Sequence, residues 1–269
     1  MTKYFASRAS TAASIGLLWG GLALLPAVGH AQESSLAGRT LEDAKLYFTA
    51  PLSWDKKNWE VFGGAVAAIV AAHEYDGDVR THFVKGSSTA LDGKDRHSTR
   101  DALPTAAIFA GTWAYAALLQ SRGGYAEGWS MAEAAGLSAV SASALKLAAG
   151  RLRPNETAQV DRWSESGSSF PSLHATLAFA VGTVLAESGE DNYRWVRRAL
   201  GYGVALGTAY ARVHDNAHWL SDSVAGGALG MSTAIFVLNR RQHSSSVESQ
   251  IGVLPVERGM MLTYSVPLR

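Results

Sequence analysis

Six apolar stretches of helical length dominate this sequence, at about 56–72, 102–121, 129–150, 172–188, 194–212 and 217–240. Each is rich in Ala and Gly, and Gly123-Gly124, Arg153–Ser169 and Ser188-Gly189 punctuate them. Small side chains let helices approach closely, so the pattern predicts an all-α bundle of about six core helices. Ser53 or Asp55 is placed to cap the first of them. Between the first two, Glu74–Asp101 is rich in charge, Gly and Ser and reads as a long connection with one short helix. No internal repeat is visible.

The two ends differ from this middle. Lys3 and Arg8 precede an apolar stretch from Ala12 to Val28, and Gly29-His30-Ala31 follows with small residues at the cleavage positions. Residues 1–31 therefore read as a signal peptide rather than an uncleaved anchor, the apolar stretch being short and Gly-rich for a spanning helix. Residues 32–55 are mixed and polar, and 56–240 hold the expected catalytic domain. Residues 241–269 read as a Ser-rich linker and a tail. In that tail Met261–Val266 has strand composition and can turn back on Ile251–Val256 as a small β-hairpin.

Charge and cysteine exclude several functions. With the leader removed, 22 basic residues face 23 acidic ones, so bulk charge does not favour nucleic acid. The absence of cysteine removes disulfides, thiol catalysis and Cys-ligated zinc together. Ala102–Ser121 and Ser223–Asn239 carry no charge and are long enough to approach a membrane span. Both contain polar residues, however, and the mean hydropathy of the chain is close to zero. The expectation is thus an exported, soluble periplasmic domain touching the membrane at most peripherally.

Three short segments set Lys, Arg, His and Asp among the apolar helices. In the first, Lys146 and Arg153 are seven residues apart and should share a helix face until Pro154 ends it. Two cations there suit an anion with several oxygens, or else form a solvated basic helix end that includes Arg151. In the second, Pro171-Ser172-Leu173-His174 reads as a helix start. Its free N–H groups can hold an anion near His174, or Ser172 merely caps the helix. In the third, His218 and Asp222 are four apart, so the carboxylate can accept the Nδ1 proton and free Nε2 as a nucleophile. A structural His–Asp pair has the same spacing. A metal site on His214, His218 and Asp222 does too, although Asp215 and Asn216 argue for a break between the histidines.

Taken together, Lys146…Arg153-Pro154, Pro171-Ser172-Leu173-His174 and Ala211-Arg212…His218…Asp222 resemble the signature of the phosphatidic acid phosphatase type 2 superfamily, over about residues 60–240. That superfamily also includes vanadium haloperoxidases and bacterial acid phosphatases. The resemblance implies a helical bundle with its active site at helix ends, and a metal-independent phosphatase with no cofactor. His218 would form a phosphohistidine, with Asp222 orienting it, and His174 would protonate the leaving oxygen and then activate water. Lys146, Arg153, Arg212, Ser172 and the N–H of Leu173 would hold the phosphate. The implied substrate is a phosphorylated lipid or a small soluble phosphate, and oligomeric state is not legible. Two positions depart from the pattern: Leu173 stands for Gly and Ala211 for Ser. They keep open a weakly catalytic binding module, and the shared vanadate chemistry keeps open a haloperoxidase.

His73 and His97 are expected at the surface. Trp163 either touches a leaving group or covers the core.

Overall fold

The computed structural model describes residues 30–85, 91–95, 97–189, 193–247, 250–256 and 259–265. These residues form α1 (His30–Thr49), α2 (Lys56–Glu74), α3 (Asp76–Val84), α4 (Ser98–Leu119), α5 (Arg122–Ala149), α6 (Leu173–Glu187), α7 (Arg194–His214) and α8 (Leu220–Val247), with a 3-10 turn at Ala50–Ser53. The all-α expectation holds for the body of the chain. The tail folds as the antiparallel pair β1 (Gln250–Val256) and β2 (Gly259–Ser265), with Gln250 opposite Ser265 and Val256 opposite Gly259. Asp55 caps α2 by accepting from the N–H of Asn58 at 2.8 Å. The expected linker is absent at its start, because α8 continues to Val247. Its late turns are held by Arg240 on Asp43 of α1 and Arg241 on Glu133 of α5.

Helix α6 is the axis of the bundle. It packs against α4, α5, α7 and α8, and twelve of its fifteen residues are buried. Ala180, Val181 and Val184 join Met131, Ala134 and Leu137 of α5 and Ala234 and Val237 of α8 in the main core. Two glycines let the neighbours reach the α6 backbone. A β-carbon on Gly230 would lie 2.1 Å from the Thr176 carbonyl oxygen, and one on Gly182 would lie 2.4 Å from that of Gly201. Gly230→Ala should therefore lower stability by about 1–3 kcal/mol through overpacking. Gly63→Ala, whose β-carbon meets nothing within 4 Å, should leave stability equal or higher by roughly 0.5–1 kcal/mol. Unfolding midpoints of the two variants in one detergent compare them directly.

The outer surface overturns the soluble, periplasmic expectation. Helices α4 and α8 are both long and apolar enough to cross a membrane. In α4 only 6% of the apolar window is buried against the rest of the protein, and only Asp101 and Ala116 of the whole helix are buried. Leu103, Tyr115, Leu118 and Leu119 of α4 face outward, as do Val61, Phe62, Val66 and Val70 of α2 and Leu147 of α5. A water-soluble surface rarely exposes so many large apolar side chains. The 22 residues of α4 extend about 33 Å, which matches a hydrocarbon core of about 30 Å. The chain is thus read as an integral membrane protein, not one in peripheral contact. Near-zero mean hydropathy misled because polar helix ends offset the apolar faces. The leader expected at 1–31 lies, except for its last two residues, outside the described residues.

Candidate active site

The charged ends of α4, α5, α6, α7 and α8 meet at one end of the bundle. Helix α5 stops at Gly150, whose φ of +56° lets its N–H turn back onto the Lys146 carbonyl. Arg153 therefore lies in the loop beyond the cap, and the seven-residue spacing does not put it on a helix face with Lys146. Lys146 is 7% exposed, and its ammonium donates to the carbonyls of Ser168 (2.6 Å), Pro171 (2.8 Å) and Ser169 (3.3 Å). Three protons meet three acceptors. Lys146 thus fastens the loop that delivers Ser172, while its charge stays in the pocket.

Ser172 caps α6 as the sequence predicts, and its own N–H donates to the Asp222 carbonyl at 3.0 Å. Leu173 turns away from the charged groups. Its side chain packs with Ala142 and Leu177, so the bulk that replaces Gly enters the core rather than the charged end of the bundle. His174 follows in the first turn, and its Nε2 donates to the Ser98 carbonyl at 3.0 Å. A carbonyl only accepts, so Nε2 carries the proton in this arrangement.

Helix α7 delivers Arg212, and Asn216 then breaks the chain with φ +55°. The backbone N–H groups of Ala217 and His218 both return to the Arg212 carbonyl at 3.1 Å. This tight turn sets the nucleophile candidate beside Arg212. It also separates the two histidines of the metal alternative. His214 is half-exposed and bound to Asp215, whereas His218 is buried. Burial first, then the positive charges of Arg153, Lys146 and Arg212, hold the His218 imidazole well below its ordinary range. It is therefore neutral at neutral pH.

Arg153 and Arg212 converge on one anion, the carboxylate of Asp95. Arg212 Nη1 donates to Oδ1 at 3.0 Å and Nη2 donates to Oδ2, while Arg153 Nη1 donates to Oδ2 at 3.1 Å. Arg212 Nη1 also reaches Asp101 at 3.0 Å. No sequence signal marks Asp95, which is one charge among several in a polar connection.

Asp222 sits 3.6 Å from His218 Nδ1, too far for a hydrogen bond, and that buried nitrogen has no hydrogen-bond partner. The carboxylate is instead gripped from behind. It accepts from Arg151 Nη1 (2.8 Å), Ser169 Oγ and the Trp219 N–H (3.0 Å). Arg151, read from sequence as part of a basic surface, is fully buried. It also pairs with the buried Asp76 at 2.7 Å, and its guanidinium lies 4.4 Å from the Trp163 ring and 5.2 Å from that of Trp219. Asp76 in turn accepts from the N–H and hydroxyl of Ser221 at 2.8 and 2.6 Å. Trp163 thus covers Arg151, which answers which of its two roles the fold uses. His73 is not a free surface group. It is wedged between Asp76 and Asp161, 2.9 Å from each. His97 is half-exposed, as expected, on Asp215.

Seven predicted positions, Lys146, Arg153, Ser172, His174, Arg212, His218 and Asp222, therefore come together at one end of the bundle. The eighth, Leu173, contributes only its backbone to that end. Sequence reasoning missed Asp76, Asp95, Arg151 and Ser169.

Residues 127–245 match the model of the PAP2 superfamily. The chain is 37% identical over 86 residues to the lipid A 1-phosphatase of Porphyromonas gingivalis, which is 32% of this chain. It spans only 17% of that relative's length. Among solved structures, it is similar to the first transmembrane PAP2-type phosphatidylglycerolphosphate phosphatase from Bacillus subtilis. That match has 20% identity and a TM-score of 0.40, and covers 78% of this chain and 96% of the other.

Proposed function

We propose, from the match of residues 127–245 to the PAP2 superfamily and from the site geometry, that the chain is a membrane-embedded phosphatase acting on a phosphorylated lipid through a phosphohistidine on His218. The observation that carries this reading is the convergence of Arg153 and Arg212 on a single anion beside the buried, neutral His218. The charged end of the bundle supports a lipid substrate, because a headgroup at the membrane edge can reach it while the acyl chains stay beside α2 and α4.

Phosphoryl transfer needs positioning and charge compensation more than covalent help. The two guanidiniums neutralise the non-bridging oxygens, with the Lys146 charge behind them. His218 attacks phosphorus through Nε2, and the P–O bond to the lipid breaks. As the ring becomes cationic, its Nδ1 proton is drawn toward Asp222, which a few tenths of an ångström would bring into hydrogen-bond range. Arg151, Ser169 and the Trp219 N–H keep that carboxylate in place. With a proton on each ring nitrogen, His174 gives the one on Nε2 to the leaving oxygen, and as neutral imidazole it then takes one from the water that cleaves the phosphohistidine. Its bond to Ser98 must loosen for Nε2 to do so.

The direct test is release of phosphate from phosphatidate, isoprenyl diphosphate and small soluble esters by the detergent-purified protein. Release from a lipid supports the reading, whereas release from none of the panel by well-folded protein removes it. The pH profile is a second check. Only neutral His218 is nucleophilic, and its pKa lies well below 6.5. On a substrate that does not itself titrate, kcat/KM should stay level as pH falls through 6.5 and drop only in more acid solution. An acid limb centred at 6.5 or above would contradict the environment assigned to His218.

A further inference from the structure

The phosphate pocket of this protein already contains an anion of its own. Asp95 belongs to the connection between α3 and α4, and its carboxylate bridges the two arginines that the proposed function gives to the substrate phosphate. The groups are well enclosed, with side chains 15%, 10% and 0% exposed for Arg153, Asp95 and Arg212. Three residues on, Ser98 opens α4 and takes the Nε2 proton of His174 on its carbonyl. One short segment thus engages both phosphate-binding arginines and the proton-transfer histidine. Among the described residues, the side-chain hydrogen bonds of the Asp95 carboxylate go to these two arginines.

We propose that Asp95 is an internal competitor for the phosphate pocket, so that a substrate binds by exchanging its phosphate for this carboxylate on Arg153 and Arg212. This rests on the phosphate pocket described above. The exchange is chemically graded. A carboxylate brings two oxygens, and both are engaged here, yet the buried Nε of Arg212 is left without a hydrogen-bond partner. A phosphate brings further oxygens and up to a second negative charge, so it can meet donors that Asp95 leaves unmet. Ligands with a single charge gain least by displacing Asp95. The residue therefore sets a threshold that favours a terminal phosphate monoester or diphosphate over a phosphodiester. Protonation does not release it. Burial opposes the charge, but the hydrogen bond and charge of Arg212, with Arg153 beside it, hold the Asp95 carboxyl well below its usual range. Only another anion can compete.

The occupied state lowers apparent affinity by the fraction of time the pocket is closed, about tenfold if it is closed nine-tenths of the time. The experiment is calorimetric titration of inorganic phosphate into the detergent-purified wild type, Asp95→Asn and Asp95→Ala, each checked for an unchanged melting profile. Tighter phosphate binding by either folded variant, by about tenfold, is the expected result. Equal or weaker binding by the folded variants overturns the competitor while leaving the pocket intact. Absence of phosphate binding in all three proteins overturns the pocket and the proposal together. A second titration with dimethyl phosphate separates threshold from affinity. Asp95→Asn should narrow the preference for the monoester over the diester, and an unchanged ratio would refute the threshold.

Discussion

Replacement of His218 by alanine is expected to abolish turnover, with a loss of at least about 10⁴-fold in kcat. No neighbouring group can take over. His174 is tied to the Ser98 carbonyl at the start of α4, the nearby carboxylates are paired with arginines, and the Ser169 and Ser172 hydroxyls are engaged by Asp222 and the cap of α6. The variant should also fail to accumulate an acid-labile, base-stable phosphoenzyme when rapidly quenched with radiolabelled lipid diphosphate. The imidazole is buried, so its truncation leaves a cavity and should lower the melting midpoint, and the assay is run where the variant is still folded. Substantial residual turnover, or phosphoenzyme of wild-type amount, would transfer the nucleophile to another residue.

The second large effect is on stability rather than chemistry. Arg151→Met should destabilise the protein by about 3–5 kcal/mol, because it leaves the buried carboxylates of Asp76 and Asp222 without their shared cation. For a protein of this size that corresponds to a fall in melting temperature of about 6–20 °C. The Trp163 and Trp219 rings would also lose the cation between them. Adding Asp76→Asn to Arg151→Met should recover part of the loss, since one of the two stranded charges is then gone. If Arg151→Met melts like the wild type, the buried ion pairs do not carry the weight placed on them. Activity gives a second readout. With Arg151 gone, Asp222 loses a hydrogen bond that keeps it turned toward Trp219, and the His218 pH profile should move with it.

Much of the site was legible because its pieces are local. A Lys and an Arg-Pro seven residues later, a Pro-Ser before a His, and a His four residues before an Asp are each short patterns. Each is fixed by one helix end. Helix ends leave backbone groups unpaired and collect polar residues, so these patterns survive in a one-dimensional view. The seven-residue spacing of Lys146 and Arg153 nevertheless does not become a shared helix face. Gly150 ends the helix between them, and the two cations meet through the folded loop instead. Arg151 carried no distinguishing mark beside Arg153. Its burial depends on Asp76 and Asp222, 75 and 71 residues away, and no local pattern encodes such partners.

The membrane surface was illegible for a related reason. Hydropathy measures how apolar a helix is, but not what covers it. Helices α6 and α4 are both apolar, yet α6 is buried by protein on nearly every side and α4 on almost none.

The helix-length apolar stretches and their punctuation determined a helical body with a small β tail, because helix periodicity and helix ends are local properties. The three charged motifs left several readings open one by one, and it was their joint resemblance to a family signature that placed a site around His218. Only the tertiary structure decided that Leu173 packs into the core, that Arg151 rather than His218 holds Asp222 most closely, and that Asp95 sits between Arg153 and Arg212. It also decided that the described residues leave most of the apolar surface of α4 uncovered. Those facts depend on which distant residues share a desolvated space, and burial is a property of the assembled bundle.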